Sequence, residues 1–182
     1  MKNWYSITAK LNQPTEISIY DEIGLFGVSA KDFADSLKSI PMDGKITISL
    51  NSPGGSVTDG MAIYSLLKAR SQSITCRIDG LAASMASVIA MAASEIQMPK
   101  NALMMIHNPS GVAMGDGNDM RQTADLLDKV GGQIADIYSQ RTGIAREQIA
   151  TMMDAETWMT GEEAFSLGFT TQCTDAQSMA AK

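Results

Sequence analysis

Ser84 occupies a position from which a hydroxyl group could act as a nucleophile. Before it, the stretch Ile74 to Ile78 alternates apolar and more polar residues, which is the spacing of a strand. Asp79-Gly80 is a turn signal, and the small and apolar residues from Ala82 to Ala93 predict a buried helix. Ser84 would lie in the first turn of that helix, where free backbone N–H groups and the helix dipole favour developing negative charge. The alternative is that Ser84 only caps a buried helix.

His107 is the single histidine of the chain, and it ends the apolar run ALMMIH just before Asn108-Pro109. Strand ends that open into loops often display catalytic groups. If the chain is an enzyme that needs a general base, His107 is that base; otherwise it is a structural or exposed histidine. Because one histidine and two distant cysteines form no zinc-ligand cluster, we expect no metal and no other cofactor.

A glycine pair follows the predicted strand that ends at Asn51, in the sequence Ser52-Pro-Gly-Gly55. Two glycines let a peptide backbone approach closely and can leave an N–H free to bind an oxyanion. The segment lacks the Lys and Ser/Thr of a phosphate-binding loop. The alternative is a plain turn, which is all that Pro-Gly by itself indicates.

Two carboxylates, Asp154 and Glu156, precede the apolar anchor Trp158. A carboxylate beside a catalytic histidine orients the imidazole and stabilises the imidazolium ion. Either residue could do this for His107, and the alternative is a solvated acidic turn.

The overall composition narrows the class of protein. The chain has 182 residues, of which 45% are hydrophobic and 19% charged, as in a globular domain. Its net charge of −6 argues against a nucleic-acid partner. No apolar run is long enough for a membrane span, and the first ten residues do not resemble a signal peptide. We therefore expect a cytoplasmic protein in which Cys76 and Cys173 are reduced.

Strand and helix signals alternate along the chain, which predicts an α/β fold with a single domain over residues 1–172 and a flexible tail over 173–182. Capping boxes at Ser29 and Thr160 indicate helix starts. A long helix is predicted from Asn118, which would cap it, to Arg141, before Gly143. Its apolar face comprises Met120, Ala124, Leu127, Val130, Ile134 and Tyr138.

Taken together, four segments resemble the proteolytic subunit of the Clp protease (the ClpP family). In chain order they are NSPGGSVTDGMAIYSLL, GLAASMAS, MMIHNPSG and WMTGEEAFSLGF, and the resemblance spans about Lys45 to Gly168. It implies a ClpP/crotonase-like fold of repeated ββα units. It also implies a serine endopeptidase that hydrolyses peptide bonds through a Ser-His-acid triad and an acyl-enzyme.

The resemblance assigns a role to individual residues. Ser84 corresponds to the nucleophile and His107 to the base, while Gly55 and Met85 correspond to the two N–H donors of the oxyanion hole. Counting back from the aromatic residue, the family's Asp position holds Glu156, which is favoured as the acid over Asp154. The residues that would bracket the substrate as strands are Ser56, Val57, Ser110 and Gly111.

The amino-terminal segment ISIYDEIGLFGVSAKDF resembles the ClpP-related head-maturation (prohead) proteases of tailed bacteriophages. This resemblance implies capsid or scaffold proteins as substrates and no need for an ATPase. The helix from Asn118 to Arg141 corresponds to the family helix that joins subunits, so we expect a ring-like homo-oligomer, as a single ring or as stacked rings.

Two alternative enzymes are weighed against this hypothesis, besides a catalytically inactive assembly scaffold, which an intact triad disfavours. One is an ATP-dependent Clp subunit that degrades unfolded proteins with an ATPase partner. The other is a crotonase-like acyl-CoA enzyme, which would share the oxyanion hole but would not need Ser84 and His107 together.

Overall fold

The framework of the protein is one mixed β-sheet, as seen in a computed structural model that describes residues 5–8, 14–24, 29–70 and 73–175. The strands are β1 (Tyr5–Thr8), β2 (Thr15–Ile19), β3 (Ile46–Ser52), β4 (Ile74–Ala83), β5 (Glu95–Pro99), β6 (Leu103–Ile106), β7 (Thr157–Thr160) and β8 (Gln172–Thr174). The helices are α1 (Ala30–Leu37), α2 (Val57–Lys68), α3 (Met85–Ala90), α4 (Gly117–Thr142), α5 (Arg146–Asp154) and α6 (Gly161–Ser166). The predicted α/β class is confirmed.

The sheet runs in the order β1-β2-β3-β4-β5-β8, and β6 and β7 extend it from the distal half of β4. The pairs β1–β2 and β6–β7 are antiparallel, and the other pairs are parallel. Strand β4 changes partner along its length: Thr75–Arg77 pair with β5, whereas Leu81–Ala83 pair with β6.

This change of partner corrects the predicted turn at Asp79-Gly80. Both residues lie within β4, where the register with β3 shifts from Leu50↔Ile78 to Ser52↔Ala82. An irregularity of this kind bends a strand without ending it. The helix expected from Ala82 to Ala93 is correspondingly short: it begins at Met85, because Ala82 and its neighbour still pair with β6.

Local capping chemistry defines the other helix ends. Ser29 and Thr160 form the two predicted capping boxes, and Gly143 ends α4 with φ 76°. The cap of α4 is Asp116 rather than the predicted Asn118: the Asp116 carboxylate accepts from the backbone N–H of Asn118 at 2.7 Å and of Asp119 at 3.1 Å. A carboxylate two residues upstream satisfies these free donors and also favours the helix dipole.

The carboxyl-terminal segment differs from the predicted tail. Residues 172–174 form β8, which pairs in parallel with β5. The remainder of the predicted tail, residues 176–182, lies outside the described residues. Among the helices of the described part, none is both long and apolar enough to cross a membrane.

Helix α3 is buried along its whole length. It packs against α2 and lies over β3 and β4. A helix enclosed in this way cannot shift without opening the core. The turn that precedes it, which carries Ser84, is therefore held on a rigid support.

Candidate active site

Ser84 and His107 are in direct contact. The Oγ of Ser84 lies 2.8 Å from Nε2 of His107. Ser84 follows β4 and His107 follows β6, and these strands are parallel neighbours with Ala83 opposite Met105. The carboxyl ends of adjacent parallel strands meet at one edge of a sheet. A serine hydroxyl bonded to an imidazole is the arrangement in which the imidazole can remove the hydroxyl proton.

The backbone of Ser84 is in an unusual conformation, with φ 54° and ψ −127°. A non-glycine residue there costs on the order of 1–3 kcal/mol and persists only where its surroundings hold it. The Ser84 N–H donates to Met105 O at 3.0 Å, and the Ser84 carbonyl accepts from the Ser87 N–H at 3.0 Å. Sharp strand-to-helix turns of this kind lift a nucleophile above the sheet. The Ser84 hydroxyl makes no capping bond to α3, so a role as a mere helix cap does not describe it.

Glycines 54 and 55 lie beside this turn but face different neighbours. A Cβ added at Gly54 would lie 2.7 Å from Ser84 Cβ and 2.9 Å from Met85 N. A Cβ added at Gly55 would lie 2.3 Å from the carbonyl oxygen of Ile23, with which Gly55 forms a parallel bridge. Gly54 is therefore the glycine in contact with the Ser84 turn. A side chain at Gly55 would clash with the backbone of Ile23 rather than with a substrate.

Two backbone donors remain next to Ser84. Within the described part of the chain, the N–H groups of Gly55 and Met85 donate to no protein acceptor. Met85 is the first residue of α3, where N–H groups have no partner inside the helix. Unpaired N–H groups beside a nucleophile are the donors that an oxyanion hole needs.

The predicted acids do not contact His107. No carboxylate in the described residues forms a hydrogen bond or ion pair with this imidazole. Asp154 accepts from the side-chain amide of Asn108 at 2.6 Å. Glu156 accepts from the indole N–H of Trp158 at 3.2 Å. The structure thus brings together the predicted nucleophile and the predicted base, and both candidate acids have other partners.

The strand register distinguishes the two acids. In the β6–β7 pair Ile106 lies opposite Thr157. His107 and Glu156 follow directly on this last pair, with Glu156 in the turn before β7, whereas Asp154 is the last residue of α5. Glu156 is exposed and has φ 48°, a second left-handed backbone next to the site.

A small cavity adjoins the reacting atoms. Its volume is about 10 Å³, close to the minimum that holds one water molecule. Its lining includes Ser84 and His107. The other residues that line it are Val57, Met85, Val88, Pro109, Ile134 and Tyr138.

The four residues predicted to bracket the substrate lie in three different environments. Ser56 is the N-cap of α2, and its N–H donates to Ile23 O at 2.8 Å while its carbonyl accepts from Gly60 N. Both backbone groups of Ser56 therefore have partners inside the fold, and its role in binding the substrate stays a prediction. Val57 lines the small cavity. Ser110 and Gly111 lie exposed in the irregular segment between β6 and α4.

Two residues that reach the Ser84 turn were not identified by sequence patterns. The Ser87 hydroxyl lies 2.8 Å from the Tyr138 hydroxyl and 2.6 Å from the carbonyl oxygen of Ser84. The available signal was a serine within an otherwise small and apolar run. Tyr138 was predicted only as part of the apolar face of α4.

Comparison with known proteins agrees with this geometry. The chain matches the Clp protease family over residues 1–177. It is 34% identical to the ATP-dependent Clp protease proteolytic subunit 1 of Chlamydia abortus over 172 residues, covering 87% of this chain and 90% of that protein. The protein of the same name from Protochlamydia amoebophila is 33% identical, with 92% and 87% covered. The ATP-dependent Clp protease proteolytic subunit of Bacteroides fragilis is 33% identical, with 72% and 65% covered.

Proposed function

This chain belongs to the Clp protease family and is a serine endopeptidase, and from that premise we propose that it is the proteolytic subunit of an ATP-dependent Clp protease. The observation that carries the proposal is the 2.8 Å contact between Ser84 Oγ and His107 Nε2 at the edge of the sheet. The names of the relatives, which are matched over most of their length, supply the ATP-dependent part.

In the proposed reaction, His107 removes the proton of Ser84 as the hydroxyl attacks the peptide carbonyl. The N–H groups of Gly55 and Met85 stabilise the oxyanion, and His107 then protonates the leaving amine. An acyl-enzyme on Ser84 remains, which water hydrolyses with His107 again acting as the base.

We propose Glu156 as the acid that orients His107. The β6–β7 pairing supports it, because Glu156 and His107 each lie next to a residue of the last pair, Thr157 and Ile106. To reach the imidazole, the Glu156 carboxylate must leave the indole of Trp158, a contact between exposed groups. Asp154 remains the second candidate, and its carboxylate is held by the amide of Asn108.

Helix α4 supports a homo-oligomeric ring. Its buried residues begin only at Ile134, so the first half of the helix has little contact with its own subunit. Met120 and Leu126 on that half are 40% and 60% exposed. Apolar side chains on a projecting helix favour burial against another subunit. We also propose that the fold is a ClpP/crotonase-like arrangement of repeated ββα units.

The head-maturation role becomes the second candidate. It is favoured by the amino-terminal segment that resembles phage proteases. It is placed second because the relatives described above are named as Clp protease subunits. The acyl-CoA alternative is disfavoured by the joined Ser84–His107 pair, for which it has no use.

The first experiment tests whether Ser84 is the nucleophile. Purified wild type, Ser84→Ala and the control Ser166→Ala, an exposed serine on α6, are assayed on a short fluorogenic peptide. Ser84→Ala should lower kcat by about 10⁴- to 10⁶-fold, and the control should match wild type. Peptidase activity in Ser84→Ala would exclude it as the nucleophile.

The second experiment tests whether degradation depends on an ATPase. The substrate is a folded, tagged protein, assayed with and without a Clp-type ATPase and ATP. Degradation that requires both is expected. Cleavage of folded capsid or scaffold protein without nucleotide would favour the head-maturation role instead.

A further inference from the structure

The side chain of Ser87 bonds three groups around the nucleophile. It is fully buried, and its Oγ lies 2.6 Å from Ser84 O, 3.0 Å from Met105 O and 2.8 Å from Tyr138 Oη. A helical serine commonly bonds a carbonyl three or four residues earlier. The contacts with a neighbouring strand and with another helix go beyond that local habit.

Proton counting gives the direction of these bonds. A serine hydroxyl has one proton to donate, and the two carbonyl oxygens can only accept. The contacts with two carbonyl oxygens favour an arrangement in which Ser87 donates to a carbonyl and Tyr138 donates its proton to Ser87 Oγ. Burial raises the pKa of the Tyr138 hydroxyl above its usual range, which keeps this donor protonated. Its ring is 1% exposed and packs against Phe169 with centroids 5.7 Å apart.

The contacts of Ser87 fall on both flanks of Ser84. One partner is the Ser84 carbonyl itself, and the other is the Met105 carbonyl that accepts the Ser84 N–H. These two peptide groups fix the left-handed backbone of Ser84, which does not persist without such restraint. Tyr138, anchored in α4, in turn holds Ser87 in place.

We propose that Ser87 and Tyr138 are a positioning pair that holds the Ser84 backbone in its reactive conformation. The proposal rests on Ser84 being the nucleophile. The two hydroxyl groups contact each other in the core, and neither is exposed to a substrate, although Tyr138 also lines the small cavity. The pair acts by keeping Ser84 Oγ on His107 Nε2 and the Met85 N–H facing the same space.

The test separates positioning from stability by removing one hydroxyl or both. Ser87→Ala leaves the buried Tyr138 hydroxyl without its partner, which lowers the melting temperature. In the double variant Ser87→Ala/Tyr138→Phe neither buried hydroxyl remains, so the melting temperature should return toward that of wild type. Tyr64→Phe, at a half-buried tyrosine on α2, is the matched control.

We expect kcat to fall by about 5- to 100-fold in Tyr138→Phe and in the double variant, with KM changed less than about twofold; this loss corresponds to about 1 to 3 kcal/mol at 1.36 kcal/mol per tenfold change. The rate at which a fluorophosphonate labels Ser84 should fall by a similar factor. The control should keep wild-type values of kcat and labelling rate.

Recovery of kcat together with melting temperature in the double variant would overturn the proposal, because the pair would then be purely structural. Wild-type labelling rates in Tyr138→Phe would overturn it as well. If wild type itself is labelled at a residue other than Ser84, the proposed function fails first and this inference falls with it.

Discussion

Replacing Ile134 should change which peptides the protein cleaves. Ile134 is 3% exposed on α4 and lines the cavity of about 10 Å³ beside Ser84. Because this cavity adjoins both Ser84 and His107, we expect it to receive the side chain on the amino-terminal side of the cleaved bond, called P1. A cavity that barely holds one water accepts a small P1 residue such as alanine and resists leucine. Ile134→Ala removes three carbon atoms from the wall and should admit leucine.

The size of the effect follows from the buried area. Leucine has three more carbon atoms than alanine, and burial contributes about 0.8 kcal/mol per CH₂ group. The gain is up to about 2.4 kcal/mol, or about 50-fold in kcat/KM at 1.36 kcal/mol per tenfold change. The ratio of kcat/KM for P1 leucine to that for P1 alanine should therefore rise by up to about 50-fold in Ile134→Ala.

The assay compares two fluorogenic peptides that differ only at P1. Ile137→Ala is the matched control: Ile137 is also a buried isoleucine of α4 but does not line the cavity. Both substitutions should destabilise the fold by about 2–5 kcal/mol, and only Ile134→Ala should change the ratio. An unchanged ratio in Ile134→Ala, or the same change in Ile137→Ala, would refute this account of the cavity.

Three further predictions concern the acid, the glycine next to Ser84 and the thiols. Glu156→Gln should lower kcat by up to about 10⁴-fold while Asp154→Asn costs less than tenfold; steady-state peptidase assays decide, and the reverse order would transfer the role to Asp154. Gly54→Ala should lower both activity and melting temperature, because its Cβ would meet backbone atoms of the Ser84 turn at less than 3 Å; an active variant with an unchanged melting temperature would contradict this. Burial raises the pKa of the Cys76 thiol to about 12, so a thiol reagent at pH 8 should modify Cys173 alone in the native protein and both after denaturation.

Features fixed by short-range chemistry were predictable from sequence. The capping boxes at Ser29 and Thr160 and the stop at Gly143 depend on residues within one turn, and the structure contains all three. The predicted cap of α4 lies two residues after the observed one, because both Asp116 and Asn118 are of good capping residue types. Only the surrounding loop determines which of them is used.

Features that depend on strand pairing were not predictable. Asp79-Gly80 has turn composition, yet both residues continue β4 because the strand leaves β5 there and joins β6. Pairing with a distant segment outweighs local turn preference. The same pairing keeps Ala82 in the strand and shortens the helix that follows.

The site was predictable to the level of residue types at strand ends. The Ser84–His107 contact follows from two adjacent parallel strands ending together, so a motif on each strand was sufficient. The choice between Asp154 and Glu156 depends on the side-chain rotamers of two exposed residues, one at the end of α5 and one in the turn after it, which sequence does not encode. Ser87 was missed because its partners come from β6 and α4, far away in the chain.

Helix α4 connects the expected subunit interface with the turn that carries Ser84. It has 26 residues and is about 39 Å long at 1.5 Å per residue. Its first half exposes apolar side chains, and its second half supplies Ile134 to the cavity and Tyr138 to Ser87. Gly131 and Gly132, near the middle of α4, would lower helix stability in isolation. Gly132, however, faces the guanidinium of Arg146, which a Cβ would approach to 2.7 Å. A continuous helix moves as one body. We therefore expect a contact that shifts the first half of α4 to displace Tyr138 and, through Ser87, the backbone of Ser84.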